Sequence, residues 1–346
     1  MSGARESVDV VVVGAGIAGL ASARAAVSGG LSVRVLEARE RVGGRLLTVD
    51  GLDLGATWFW ASEPRIQRLI QELALSTHPQ HLAGDAMYHA HEGAARIQGN
   101  PVDVPAGRFS AGAEALARAV AAQLPEDGIR LACPVAKIRL AGDRIEAHTD
   151  AGVFAGEHLV LALPPALAVA RITFSPELPK QLAGLAAQTP VWMGNITKVV
   201  ARYAEPFWRK QGLAGSAISH LGPMREIHDM SGPGGEPAAL FGFAAAGPPG
   251  PDRITREAML AQFGMLFGPQ AAEPVELHLQ DWRDEPFTSP PGVERLAQYE
   301  LFGHPLYAKP ALGGRLHWAS TETTVESPGH IEGALAAADR AVRAIL

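Results

Sequence analysis

The chain has 346 residues, 47% of them apolar and 19% charged, with a formal net charge of −6. That composition excludes a disordered chain, and the scatter of Lys and Arg without a basic run excludes nucleic acid and anionic membrane as expected partners. Cys133 is the sole cysteine, which rules out an intramolecular disulfide and a Cys-rich metal site, and a reducing cytoplasm is the expected compartment.

At this length two domains with a ligand cleft between them are expected. Met1 to Ser7 has no Lys/Arg-rich region followed by a cleavage site, so no signal peptide is expected. No apolar run approaches the ~20 residues that span a bilayer.

Val8 to Val13 is a run of β-branched residues broken only by Asp9, the pattern of a strand buried on both faces of a parallel sheet. Ile17 to Val27 reads as an Ala-rich helix closed by Gly29 and Gly30, and Ser32 to Leu36 as a second strand. Between the first strand and the helix stands Gly14-Ala15-Gly16-Ile17-Ala18-Gly19, a G-x-G-x-x-G in the context a dinucleotide-binding turn requires. Gly14 makes the tight turn, Gly16 lets the backbone approach a pyrophosphate, and Gly19 lets helix and strand pack closely. The helix N-terminus supplies free N–H groups. Glu37 ends the second strand, where its carboxylate would accept the ribose hydroxyls and repel a 2′-phosphate. Up to this point NAD and FAD both fit.

Further along, Ser110 is the expected N-cap of an amphipathic helix on which Leu116, Val120 and Leu124 recur until Pro125. Ile129 to Leu163 shows short β-like stretches separated by turn residues, the punctuation of an antiparallel meander that Pro164-Pro165 ends. A second, α+β region follows, with strands near Ile196 to Tyr203, Ala238 to Ala244 and Val275 to Trp282 and a helix from about Ile254 to Phe267. Ser231 to Pro237 and Gly247 to Pro251 are stiff connections. His78, His81, His89 and His91 lack the Cys or Glu-x-x-His geometry of a metal site and read as a solvated loop, so no metal is expected. Ser110, Ser320 and Ser327 lack a G-x-S-x-G elbow, which leaves a hydrolase unsupported.

Glu37-Ala38-Arg39-Glu40-Arg41-Val42-Gly43-Gly44-Arg45, followed by Asp53-Leu54-Gly55-Ala56-Thr57-Trp58, resembles the second FAD signature of the flavin-containing monoamine oxidase and polyamine oxidase family. The similarity resumes at Pro134-Val135, at Leu163 to Leu167, at Met193 to Val200 with Glu205 to Arg209, and at Trp318 to Thr323 with Pro328 to Ala334. The resemblance implies a Rossmann-type FAD-binding domain over residues 1–58, 107–173 and 280–346, with a discontinuous α+β substrate domain over 59–106 and 174–279. It also implies FAD contacts from Gly14, Gly16, Ile17, Ala18 and Gly19, from Glu37, Ala38, Arg39, Gly43, Gly44 and Arg45, from Gly55, Ala56, Thr57 and Trp58, and from Val135, Ser320, Thr321, Glu322 and Ile331. Arg45 is expected near the pyrophosphate.

By the same resemblance Lys198 occupies the place of the active-site lysine, Trp282 packs near the flavin rings, and His330 forms one wall of an amine-binding site. The implied reaction is oxidation of a small-molecule amine to an imine, with O2 reduced to hydrogen peroxide. Covalent flavin members carry a cysteine shortly after the tryptophan matched by Trp282; here Thr288-Ser289-Pro290-Pro291 stands there, so FAD is expected to be non-covalent. The stretch between Trp58 and Ser110 is shorter than the substrate cover of the large members. A renalase-like dihydronicotinamide oxidase, a C–C desaturase or a non-catalytic flavin-binding partner protein remain as alternatives, and monomer and homodimer stay open.

Overall fold

The computed structural model describes residues 5–245 and 255–346. The connection from Gly247 to Pro251 lies outside them, as does the expected helix start at Ile254.

Val10–Val13 is a strand of four consecutive valines, and none is more than 3% exposed because the strand is covered on both faces. It lies at the centre of a five-stranded parallel sheet in the order Ile129–Arg130, Val33–Leu36, Val10–Val13, His158–Leu161, Leu316–Trp318. The helix Ile17–Ser28 follows the first strand and buries Leu20, Ala23 and Ala26 completely. Its small side chains let the C-terminal helix Ile331–Arg343 join the same core through Ala334, Leu335, Ala341 and Val342. The expected βαβ unit is therefore present, and its sheet is finished by the end of the chain.

The meander is present in part. Lys137–Ala141, Arg144–Thr149 and Gly152–Gly156 pair antiparallel in a second five-stranded sheet, but Ile129–Arg130 and His158–Leu161 join the parallel sheet instead. Leu159, Val160 and Leu161 are fully buried, as a two-sided apolar strand requires. The expected cap at Ser110 is also corrected. The helix is Glu114–Ala121, with Ala113 at its N-cap. Its first amides are held by the neighbouring hairpin: Asp53 Oδ1 accepts from Ala113 N at 2.8 Å and Thr48 Oγ1 from Glu114 N at 3.1 Å.

A seven-stranded mixed sheet forms the α+β part. Its order is Glu276–Asp281, Ile196–Tyr203, Ala238–Ala245, Met224–Asp229, Leu213–Ser219, Asp85–Ala90, Gly93–Ile97. All pairs are antiparallel except Leu213–Ser219 with Asp85–Ala90. The helix Arg256–Phe267 packs Met259, Phe263, Leu266 and Phe267 into the core beneath it.

Two of the four histidines expected in a solvated loop, His78 and His89, are instead built into strands, whereas His81 lies in no helix or strand and His91 is an exposed turn residue. His78 lies in the short strand Thr77–Pro79, and burial pushes its imidazole down to about 4. His89 is buried in Asp85–Ala90, with Nδ1 2.9 Å from Ser219 Oγ. Among the described residues no His, Cys, Asp and Glu side chains gather to hold a metal ion, and no helix is long and apolar enough to cross a membrane.

Candidate active site

One cavity of about 790 Å³ runs from the first glycine turn to the seven-stranded sheet. At its start the three glycines do separate work. Gly14 has φ +101°, and a Cβ there would meet Ala162 O at 2.8 Å; a Cβ on Gly19 would fall 1.9 Å from Gly14 O, so only glycine lets helix and turn close. Gly16 caps the helix without a side-chain bond, and a Cβ on it would meet nothing within 4 Å. Gly43 donates to Ala15 O at 2.8 Å, bringing Gly43 and Gly44 alongside Gly16. The free N–H groups of the helix N-terminus therefore lie at a bare backbone cradle, with Ile17 and Ala18 on the cavity wall. Gly19 is not on that wall.

Glu37 is buried at the end of its strand, where Oε2 accepts from Ala15 N at 2.7 Å and Oε1 from Arg39 N at 2.8 Å. The carboxylate is fixed with lone pairs left toward the cavity, which it lines beside Ala38. Arg39 reaches across the same end, donating to Glu285 Oε2 and Thr288 Oγ1, each at 2.8 Å. Cys133, Pro134 and Val135 complete this end.

Arg45 lines the cavity, but its guanidinium is committed to Glu322 at 2.6 and 3.1 Å and to Trp192 O at 3.1 Å. Glu322, expected among the FAD contacts, is fully buried behind Arg45 and does not face the cavity. Ser320, Thr321 and Ile331 do. Thr321 Oγ1 ties the turn before the last helix, accepting from Gly329 N at 2.7 Å and donating to His330 O at 3.0 Å.

Lys198 stands on Ile196–Tyr203, 2% exposed, with its side chain against the Gly55 to Trp58 segment on the cavity wall. Nζ donates to Gly55 O at 2.8 Å and to Thr57 Oγ1, and lies 4.3 Å from the centre of the Phe241 ring. Burial pulls its pKa down to about 7; Asp53 opposes that fall and Arg108 adds to it. Its ammonium and amine forms are thus both accessible near neutrality. Trp282 is buried on the cavity wall, with Nε1 donating to Leu54 O at 3.1 Å.

His330 lines the cavity and stacks on Trp60 with ring centres 4.6 Å apart, while its Nδ1 lies 2.7 Å from Glu63 Oε1. Trp60, Trp192, Phe243 and Glu226 also line it, and sequence reasoning missed all of them. Trp60 follows the Trp58 motif by two positions. Trp192 is fixed against Gly329, where a Cβ would come within 2.5 Å of its ring. Phe243 and Glu226 follow from strand register: Lys198 pairs with Phe243, and Phe243 with Glu226, so the three side chains share one sheet face. Glu226 is exposed at its end of the sheet, and the His228 imidazole 3.7 Å away holds its carboxyl below the ordinary range against the opposing effect of burial.

The sequence profile of a family described as flavin containing amine oxidoreductase matches residues 17–111 and 105–346. The putrescine oxidase of Kocuria rosea is 26% identical over 450 aligned positions, covering 94% of this chain and 92% of that protein. Flavin-containing amine oxidase B of Sus scrofa is 26% identical over 459 positions, covering 98% of this chain and 86% of that protein. Both alignments exceed the 346 residues of the chain, so the relatives carry insertions with respect to it. Among solved structures, putrescine oxidase bound to putrescine superposes with a TM-score of 0.85 at 21% identity, over 98% of this chain and 99% of that one. Cyclohexylamine oxidase from Brevibacterium oxydans IH-35A gives 0.84 at 23%, over 98% of each chain. At these identities the structural likeness establishes the fold.

Proposed function

The chain belongs to the flavin containing amine oxidoreductase family, and from that premise we propose that it is an oxidase that holds FAD non-covalently and converts an amine with a second cationic group to an imine, releasing hydrogen peroxide from O2. The observation that carries this reading is Lys198, buried on one cavity wall among aromatic rings and facing the Gly55 to Trp58 segment.

The residues present fit FAD. The open backbone at Gly16 leaves room for a pyrophosphate at the helix N-terminus, and a Cβ there would occupy that space. Glu37 has its carboxylate fixed for ribose hydroxyls, and Val135 offers an apolar surface at the same end for adenine. Thr288 stands on the cavity wall where covalent members carry cysteine, and Cys133 lies at the Glu37 end. When bound, FAD accepts a hydride equivalent from the carbon next to the amine nitrogen and passes the electrons to O2.

The chain's own residues prepare the substrate for that step. Trp58, Trp60, Trp192, Phe243 and Trp282 make an apolar enclosure that disfavours a charged amine at the reacting end, so the neutral form with its lone pair is selected. Lys198 Nζ, anchored on Gly55 O and Thr57 Oγ1, holds a proton or releases it near neutral pH and places adjustable positive charge in the site. Glu226 keeps a negative charge on the same wall as Lys198, suited to a second ammonium such as the far end of a diamine.

The test is to purify the yellow protein, precipitate it with acid, and assay the holoenzyme for peroxide release across monoamines, diamines and polyamines. The reading expects FAD in the supernatant and peroxide with diamines above matched monoamines. Flavin retained in the pellet overturns non-covalent binding. Absence of peroxide with every amine overturns the oxidase, and faster turnover of monoamines overturns the role of Glu226.

A further inference from the structure

Behind Glu226 lies a buried ion pair that the reaction itself does not use. His228 is two residues along the same strand, 4% exposed, and its Nδ1 is 2.6 Å from Asp103 Oδ1. Asp103 comes from the chain between Gly93–Ile97 and Gly107–Phe109. Its other oxygen accepts from Asn100 Nδ2 at 2.9 Å and from Ser216 Oγ, so the carboxylate is fully engaged. The far nitrogen of the ring, Nε2, is 3.7 Å from Glu226 Oε2. Trp58 meets the imidazole edge-on at 5.0 Å between ring centres, and Phe241 and Phe243 pack on it at 5.1 and 6.1 Å.

The charges of this triad have a definite sum. Burial opposes a cation at His228, but the bond to Asp103 and the nearby Glu226 carboxylate outweigh it and raise its pKa. An imidazolium alone would cancel the Glu226 carboxylate and remove its attraction for an ammonium group. Asp103 cancels the imidazolium instead, so one net negative charge remains, and it sits on the member that reaches the cavity. Arg225, at the bulge beside Glu226, donates to His220 O. The register Glu226 to Phe243 to Lys198 spans two strand spacings, roughly 10 Å between the outer backbones.

We propose that the buried Asp103–His228 pair is the positioning device that fixes Glu226 and leaves its charge uncancelled, and that it thereby sets the preference of the site for diamines over monoamines. This rests on the reading of Glu226 as the group that takes the second ammonium. Glu226 touches the substrate; His228 and Asp103 act through it. His228 cannot serve alone as the selector, because it is buried behind the Trp58 ring and a second ammonium would be repelled by it.

The experiment compares kcat/KM for 1,4-diaminobutane and n-butylamine in the holoenzymes of wild type, Glu226→Gln, His228→Gln, Asp103→Asn and the double variant Glu226→Gln/His228→Gln. Asp103→Asn, which leaves the imidazolium uncancelled beside Glu226, is expected to lower the diamine-to-monoamine ratio about tenfold, mostly through the KM of the diamine, the size of one close charge interaction; His228→Gln removes the hold on Glu226 together with a positive charge and lowers the ratio less. The double variant should fall no further than Glu226→Gln alone. A purely structural role would move both substrates together and leave the ratio where it was. A ratio lowered in Glu226→Gln but kept in the other two single variants overturns the inference and spares Glu226 as the anchor. A ratio kept in all variants overturns both. Additive losses in the double variant show that His228 acts independently of Glu226 and also overturn the inference. If one buried substitution prevents folding, the other reads the same pair.

Discussion

The burial of Lys198 has a thermodynamic signature that does not depend on catalysis. Its pKa falls from 10.5 to about 7 in the folded chain, mainly because burial penalises the ammonium. A lysine whose folded pKa lies below its unfolded value costs stability in full at low pH, where both states are protonated and only the folded one is desolvated. The cost is relieved as pH rises above the folded pKa, because the folded state then releases its proton while the unfolded state keeps one, so stability increases with pH across the interval between the two values. At ~1.4 kcal/mol per pKa unit the wild type should gain roughly 2.7 kcal/mol between about pH 6 and about pH 9 from this group alone. In Lys198→Met that gain disappears. The bonds to Gly55 O and Thr57 Oγ1 are lost as well; the part that depends on the charge of Nζ is already contained in the pKa, and the rest, ~1 kcal/mol each, is equal at both pH values and drops out of the comparison. Denaturant unfolding of both proteins at the two pH values, with excess FAD throughout, measures the difference. A gap between wild type and variant that is the same at both pH values would refute the claim that Nζ is desolvated.

The same substitution should leave FAD bound while slowing flavin reduction or reoxidation at least ~tenfold, about 1.4 kcal/mol of barrier, in stopped-flow traces; wild-type rates in both half-reactions would make Lys198 a bystander. Glu37→Ala should weaken FAD by ~1.5–3 kcal/mol in equilibrium titration and also lower the melting temperature, because the carboxylate holds the amides of Ala15 and Arg39. Glu322→Gln leaves Arg45 without the charge that it grips through two oxygens; as that guanidinium is partly exposed, the loss should fall near ~3 kcal/mol, the low end for a broken buried pair, read by chemical denaturation. His330→Phe keeps a ring on Trp60 but drops the contact with Glu63, and should shift KM values between aromatic and aliphatic amines; an unchanged series would place His330 outside substrate recognition.

How far the sequence could be read depended on whether the signal was local. The strand of valines, the glycine turn and Glu37 lie within one short stretch, so their geometry was legible from spacing alone. Ser110 failed as a cap because the amides of its helix are satisfied by Asp53 and Thr48, far away in the chain, and no local pattern records that. The turns around His158–Leu161 look like those of the meander, whereas the full burial of Leu159, Val160 and Leu161 comes from the parallel sheet that the strand joins. Phe243 and Glu226 enter the cavity through pairing register, a property of which strands meet, and alternation within either strand does not reveal it. The Asp103–His228 pair spans 125 residues and was equally invisible.

The single parallel pairing in the seven-stranded sheet has a consequence for the order in which the chain is made. The hairpin of Asp85–Ala90 and Gly93–Ile97 emerges early, but the strand it pairs with, Leu213–Ser219, follows more than a hundred residues later, and His89 meets Ser219 across a separation of 130. At roughly 5–20 residues per second the ribosome takes many seconds to cover that distance, and throughout it one edge of the hairpin waits unpaired. The parallel sheet waits longer still, since Leu316–Trp318 and the helix Ile331–Arg343 come last. Completion of both sheets therefore waits on strands made late in the chain, and until then the open strand edges of the N-terminal part are its exposed feature.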